Sequence, residues 1–350
     1  MNPARLHREI LAWYGEEKRD LPWRRSRDPY RIWISEIMLQ QTRVEAVLPY
    51  FERFLSNFPT VNDLAEAELD RVLNLWAGLG YYSRARNLHA AAKQVVRDFH
   101  GKFPQHYDEL RTLKGIGPYT AAAIASMAFH KAHCSIDGNL ERVFARLLAL
   151  KKDPKAAGKS DIAELGKLVV ERGQAGDVNQ AFMDLASAIC LPRNPLCELC
   201  PIQSHCEAKR QGEQADFPVK KPKVEKTSLR ASAWAVISGK ELLLARRAKG
   251  EWLAGMWDLP WDLVGDKDVR KSAPFGHELA SCSQARSITR YKVEFEVRGL
   301  VCRKRPTALD LSKLCAKADE FRWVKLEELH GINLPRPSEK ALEKLLPKLN

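Results

Sequence analysis

The sequence predicts a mainly α-helical domain followed by a smaller α+β domain. Three observations carry this: helical periodicity to about residue 210, a proline- and lysine-rich break after it, and strand-like alternation beyond the break. Apolar residues recur at three and four spacing in Val47 to Phe54, Leu69 to Leu75, Tyr119 to Phe129, Val143 to Leu150 and Ala181 to Ile189, the pattern of helices that bury one face. Between 211 and 228 the pattern gives way to charge, with Pro218, Pro222 and lysines at 220, 221, 223 and 226, so a linker is expected to divide 1–210 from 229–350. In the second domain Ser232 to Ile237 and Glu241 to Ala245 flank Ser238-Gly239-Lys240 as hairpin strands do. Tyr291 to Val301 alternates polar and apolar residues, and Phe321 to Val324 is a further short strand. Ser338, Glu339 and the periodic stretch to Leu346 predict a terminal helix capped by Ser338. A chain of 350 residues exceeds what one core usually supports, which agrees with two domains.

The 57 Lys and Arg against 44 Asp and Glu leave a formal charge of +13, which favours a polyanionic partner, nucleic acid or an acidic membrane surface. The longest apolar run, Tyr119 to Phe129, is far shorter than a bilayer-spanning helix and stops at His130, so membrane insertion is not expected. Met1 to Asp20 mixes charged and apolar residues with no signal-like core, and a cytoplasmic protein is expected.

Eight cysteines in such a protein argue against a disulfide framework. Four of them, Cys190, Cys197, Cys200 and Cys206, have the spacing C-x6-C-x2-C-x5-C, compact enough to wrap one inorganic centre. Four thiolates suit zinc or an iron-sulfur cubane, and spacing alone does not choose between them. Cys134, Cys282, Cys302 and Cys315 are scattered and read as packing residues.

Leu113-Lys114-Gly115-Ile116-Gly117 joins two helical stretches just before Pro118, a good first helical residue. Glycines there permit a tight turn whose N-H groups can approach a phosphate, helped by the positive end of the next helix. A plain helix connection uses the same residues. Glu36 sits in Trp33-Ile34-Ser35-Glu36-Ile37-Met38-Leu39, where an apolar setting should raise its pKa toward that of a general acid working near neutrality. Trp33, Glu36 and Gln40 fall on one helical face, followed by Gln41 and Thr42; a solvent-facing glutamate is the alternative. Asp137 precedes the helix from Leu140, a position where aspartate is also an ordinary cap.

Taken together, S-E-I-M-L-Q-Q-T at 35–42, G-L-G-Y-Y-S-R-A-R-N-L at 78–88, R-D-L-P-W-R at 19–24, L-K-G-I-G-P-Y-T at 113–120 and the cysteine spacing resemble the MutY family of the helix-hairpin-helix, endonuclease III superfamily. Gly250 to Pro260 resembles the strand and turn of the MutT-like (Nudix-like) domain that follows in that family. The resemblance covers nearly the whole chain. It implies a helix-hairpin-helix glycosylase domain with an iron-sulfur loop, then the α+β MutT-like domain. It further implies a [4Fe-4S] cluster on Cys190, Cys197, Cys200 and Cys206 that supports a DNA-binding loop.

The implied activity is base excision repair: release of adenine paired with 8-oxoguanine, or with guanine, from double-stranded DNA by a monomeric enzyme. By resemblance Glu36 protonates the adenine and activates water. Asp137, eighteen residues after Tyr119, faces the sugar and stabilises its positive charge, with Tyr119 and Asn139 positioning water. Relatives that cut the strand carry a lysine where Tyr119 stands, so a monofunctional enzyme is implied. Trp23, Arg24, Leu39 and Gln180 map onto the adenine pocket. Gln40, Gln41 and Thr42 fill the space of the flipped base, Tyr81 wedges beside the opposite base, and Lys114, Gly115 and Gly117 hold the backbone.

Two features depart from the family. The glutamate-rich metal box of true MutT relatives is missing, and Asp258, Asp262, Asp266 and Asp268 do not reproduce its spacing. The family's Phe-Ser-His turn is replaced by Ile288-Thr289-Arg290; Thr289 keeps a hydroxyl and Arg290 can donate to O6 or O8, but Arg290 cannot accept the N7-H of 8-oxoguanine. Two alternatives stand beside this reading: a thymine or uracil mismatch glycosylase on the same scaffold, and a non-catalytic iron-sulfur DNA-binding protein.

Overall fold

A computed structural model describes residues 2–219, 226–264, 275–288, 290–332 and 334–349. Thr289, Asp266 and Asp268 lie outside the described residues. The chain forms two compact units, Met1–Pro222 and Lys223–Asn350. Among the described residues no helix is long and apolar enough to cross a membrane.

The first unit is helical throughout: α1 (Pro3–Glu17), α2 (Pro29–Leu39), α3 (Val44–Asn57), α4 (Val61–Glu66), α5 (Leu69–Leu75), α6 (Ser83–Phe99), α7 (Tyr107–Thr112), α8 (Pro118–Phe129), α9 (Gly138–Leu148), α10 (Lys159–Val170), α11 (Ala175–Ala188) and α12 (Glu207–Gln211). It has two apolar cores. One gathers α2 to α8 around Trp33, Phe51, Phe54, Trp76 and Leu88; the other gathers α1 and α9 to α11 around Leu6, Ile10, Phe144, Val169 and Phe182. Helix α2 starts on Asp28, whose carboxylate accepts from the Tyr30 N-H, with Pro29 preset for the first turn. It is buried from Ile32 to Met38 among the helices packed around it, so Glu36 is kept from bulk solvent. Leu39 ends it, which puts Gln40 at the cap rather than on the helical face that its spacing suggested.

The stretch expected to be a linker is partly built into this unit. Phe217 is buried against Ala149 and Ala208, and its carbonyl accepts from Arg146 Nε at 3.2 Å. One aromatic side chain with a pocket to fill outweighs the charged residues around it.

Among the described residues the second unit is a seven-stranded sheet: β1 (Thr227–Ser238), β2 (Glu241–Arg247), β3 (Trp257–Asp258), β4 (Trp261–Val264), β5 (His277–Ile288), β6 (Tyr291–Val301) and β7 (Ala318–Lys325). Its path runs β3-β2-β1-β6-β5, with β4 paired to β1 and β7 to β2. The predicted hairpin is present, Ser238 facing Glu241, while β1 and β6 run parallel. Strand β5 escapes a hydrophobic pattern search because its inward positions include Gln284 and Arg286, the latter lying over Trp261 and Phe295. Helix α13 (Ala308–Leu314), with its Thr307-Asp310 capping box, packs on one sheet face and α14 (Arg336–Leu349) on the other. Ser338 does not cap α14. The helix begins two residues earlier, and the buried Ser338 hydroxyl donates to Asp258 instead.

Candidate active site

Where the two helical cores meet, a groove of about 1340 Å³ opens within the first unit. It is lined by Glu36, Leu39, Gln40, Gln41 and Thr42 at the end of α2, Gly115, Gly117 and Tyr119 at the start of α8, Asp137 and Asn139 at the start of α9, Gln180 on α11, and Trp23 and Arg24. Of the candidate residues predicted in this unit's groove region, Tyr81 and Lys114 do not line it. Tyr81 stands on an exposed loop, and Lys114 lies in the hairpin just before Gly115, its N-H donated to Gln94 Oε1 at 2.7 Å.

Glu36 is 5% exposed, and burial, more than any neighbour, raises its pKa to about 7. Asp137 nearby pushes in the same direction. The Tyr119 hydroxyl, which donates to the carboxyl, and the Arg24 charge pull the other way. The Tyr119 phenol is itself driven well above its ordinary value, first by burial and then by the Glu36 and Asp137 carboxylates. It is therefore a neutral donor.

Asp137 caps α9. One carboxylate oxygen accepts from the N-H groups of Asn139 and Leu140, both at 2.9 Å, and the other accepts from Asn139 Nδ2 at 2.9 Å. These three hydrogen bonds, two of them from the first N-H groups of the helix, hold the carboxylate in one orientation. Asn139 Oδ1 accepts in turn from Arg142, whose other nitrogens donate to the carbonyls of Ala186 and Cys190 at 2.9 Å each. The site is thus tied directly to the first cysteine of the cluster loop.

Arg24 reaches the groove on a short segment, and its guanidinium is fixed by a bidentate pair with Asp184 at 2.6 and 3.0 Å. Arg19 shares the same carboxylate. Asp184 is 2% exposed, so its pair with Arg24 is desolvated while Arg19 stays partly exposed. Asp184 was missed in the sequence because 160 residues separate it from Arg24 and nothing local marks it.

The two hairpin glycines differ. Gly115 has φ +76°, and a Cβ there would come within 2.7 Å of Asn87 Cβ, so glycine is required. Gly117 has φ −84° with open space around it; its missing side chain leaves bare the first N-H groups of α8, which Pro118 begins.

The four clustered cysteines are all free thiols at intermediate exposure. Arg146, 2% exposed, places Nη1 at 3.3 Å from Cys190 Sγ, a built-in donor for a thiolate. Among the described residues no three Cys, His, Asp or Glu side chains converge as one bare ion requires. Four cysteine thiolates within one loop are a donor set that an iron-sulfur cubane takes.

In the second unit Arg290 is exposed, stacks 5.1 Å over Tyr291 and donates to its hydroxyl at 2.8 Å. Asp258 is wholly buried among Leu259 N-H, Trp261 Nε1, Arg286 and Ser338, and Asp262 accepts from the Ala316 N-H. Both carboxylates are occupied in holding the fold.

Residues 34–167 match the HhH-GPD superfamily of base excision DNA repair proteins, 190–206 the iron-sulfur binding domain of endonuclease III, and 232–344 the NUDIX domain. The chain belongs to the MutY family of the HhH-GPD superfamily. The human adenine DNA glycosylase is 44% identical over 215 residues, 59% of this chain and 39% of that protein. That of Buchnera aphidicola subsp. Baizongia pistaciae is 39% identical over 219 residues, 62% of each. The chain therefore spans less than two thirds of these relatives' length. A thermostable thymine-DNA glycosylase structure superposes with a TM-score of 0.55 at 29% identity, covering 60% of this chain and 97% of that one. The MutY family member described here carries the iron-sulfur domain on the four cysteines of the predicted loop, and its cofactor is the [4Fe-4S] cluster of that family.

Proposed function

We propose that the chain is a monofunctional adenine DNA glycosylase that binds duplex DNA and hydrolyses the N-glycosidic bond of adenine opposite 8-oxoguanine or guanine. The observation that carries this is one contact: a buried Glu36, its pKa raised to about 7, held by Tyr119 at the position where a strand-cleaving relative would need an amine. In the proposed reaction the Glu36 carboxyl gives its proton to a ring nitrogen of the base. The C1′-N9 bond breaks with its electron pair leaving on the base, and adenine departs neutral. The Asp137 carboxylate, fixed by its three hydrogen bonds, faces the positive charge left on the sugar. Water then adds to C1′, Glu36 takes back a proton, and the strand stays intact.

Within this reading Arg24, Trp23, Leu39 and Gln180 shape the base pocket, and Gly117 with Lys114 binds a phosphate. The cluster, held by Cys190, Cys197, Cys200 and Cys206, supplies rigidity and a positively flanked loop. Arg290 is assigned to the opposite base as a donor to O6 or O8. The MutT-like domain, matched over 232–344, favours adenine over the thymine or uracil reading, which needs no such domain.

The test incubates the holoprotein with duplexes holding adenine opposite 8-oxoguanine, adenine opposite guanine, or thymine opposite guanine, with and without alkali afterwards. Adenine release with breakage only after alkali is expected. No release from either adenine duplex overturns the assignment, and breakage without alkali overturns the monofunctional part.

A further inference from the structure

Two non-glycine residues that would enter the duplex have left-handed backbones, Gln41 at φ +60° and Tyr81 at φ +49°. Side chains seldom adopt this region, and they persist there only when surroundings hold them. One side chain touches both loops. Arg84, near the start of α6, donates from Nη1 to the carbonyls of Ile37 at 2.7 Å, Met38 at 3.0 Å and Gln40 at 2.7 Å. Its Nη2 donates to the carbonyls of Leu79 at 3.1 Å and Gly80 at 3.2 Å and reaches Thr42 Oγ1 at 3.5 Å. Four N-H hydrogens are thus shared among five carbonyls and a hydroxyl. The first set belongs to the last turn of α2, the second to the loop immediately before Tyr81. The guanidinium also lies 5.3 Å from the Trp76 ring centre and 5.7 Å from that of Tyr81, and Trp76 Nε1 donates to Gly80 at 3.1 Å.

We propose that Arg84 is a positioning residue that fastens the Gln41 loop and the Tyr81 loop into one jaw, so that insertion of these two side chains and extrusion of the base form a single step. The inference rests on the function proposed above. Its physical basis is that only a planar fork reaches both sets of carbonyls at once; an ammonium has its donors on one atom and satisfies one set or the other. An aromatic ring 62% exposed needs support against the duplex it must push into. The cation under it shares that load. Loss of the link leaves each loop free to relax out of its left-handed conformation independently.

A double-mutant cycle on the holoprotein tests this with Tyr81→Ala, Arg84→Lys and the pair, plus Arg84→Met as a second route. Single-turnover adenine release from an adenine-guanine duplex is measured. So is the fluorescence rise of 2-aminopurine in place of the adenine, which reports unstacking and needs no bond cleavage. Arg84→Lys is expected to lower both the unstacking amplitude at saturating protein and the release rate about tenfold, with the thermal midpoint and cluster absorbance close to those of the parent. Tyr81→Ala is expected to cost about tenfold in the parent and less than twofold in the Arg84→Lys background. If the two losses multiply, or if unstacking survives in both Arg84 variants, the jaw is refuted. A parent protein that releases no adenine refutes the proposed function instead, and the unstacking cycle still decides the role of Arg84.

Discussion

Replacing Glu36 with glutamine separates what this carboxyl does for the reaction from what it does to the fold. In the folded chain it titrates near 7, against an ordinary value of 4.5, because burial penalises its anion. The folded pKa is the higher one, so the fold favours the neutral acid; that preference is harmless below about pH 4.5 and becomes a cost as pH rises through 7. A difference of about 2.5 pH units corresponds to on the order of 3 kcal/mol of lost stability above neutrality. Glutamine has the shape of the neutral acid and keeps an oxygen for the Tyr119 hydroxyl, so the variant avoids that cost. The expected result is equal stability to the parent at pH 4.5 to 5 and a gain approaching about 3 kcal/mol at pH 8, read by urea denaturation followed through tryptophan fluorescence. Base release should meanwhile fall by about 10² to 10⁴, the usual contribution of a positioned acid, in single-turnover measurements on an adenine-guanine duplex. A stability difference that does not change with pH, or a variant less stable than the parent at pH 8, refutes the burial argument; retained base release refutes the proton-donor role.

Tyr119→Phe removes the one hydrogen bond that lowers the pKa of Glu36, so the fall of activity with rising pH should move to higher pH by about one unit; a shift downward contradicts the contact. Asp184→Asn strips Arg24 and Arg19 of their shared counter-charge. It should destabilise the first unit by about 3 kcal/mol or more and, through the uncompensated Arg24, move the same limb to lower pH, which a pH-rate profile checks. Gly115→Ala should cost about 1 to 3 kcal/mol of stability from its left-handed backbone and the Asn87 clash, whereas Gly117→Ala should leave the thermal midpoint in place and weaken duplex affinity, measured by fluorescence anisotropy. Equal midpoints for both variants contradict the distinction.

Much of the fold was legible because it rests on local pattern. The helical periodicity located α3, α5, α8, α9 and α11, and the Ser238-Gly239-Lys240 turn located the β1-β2 hairpin, each from neighbours within a few residues. Strand β5 was not legible, since polar Gln284 and Arg286 point inward and leave no alternation to read. Ser338 misled for a related reason: a serine before a periodic stretch signals a cap, but Asp258 competes for its hydroxyl from far along the chain.

The sequence by itself determined the two-unit architecture and the cysteine loop, carried by residue type and short spacing, and it marked Glu36, Tyr119 and Asp137 as candidates through the motifs shared with the MutY family. Only the tertiary structure decided how these groups act. It buried Glu36 among the helices around α2, set Tyr119 against it, locked Asp137 into the start of α9, paired Arg24 with Asp184 and brought Arg84 under two loops at once. A pKa and a bidentate contact depend on what lies within a few ångströms, and those neighbours lie up to 160 residues apart in sequence.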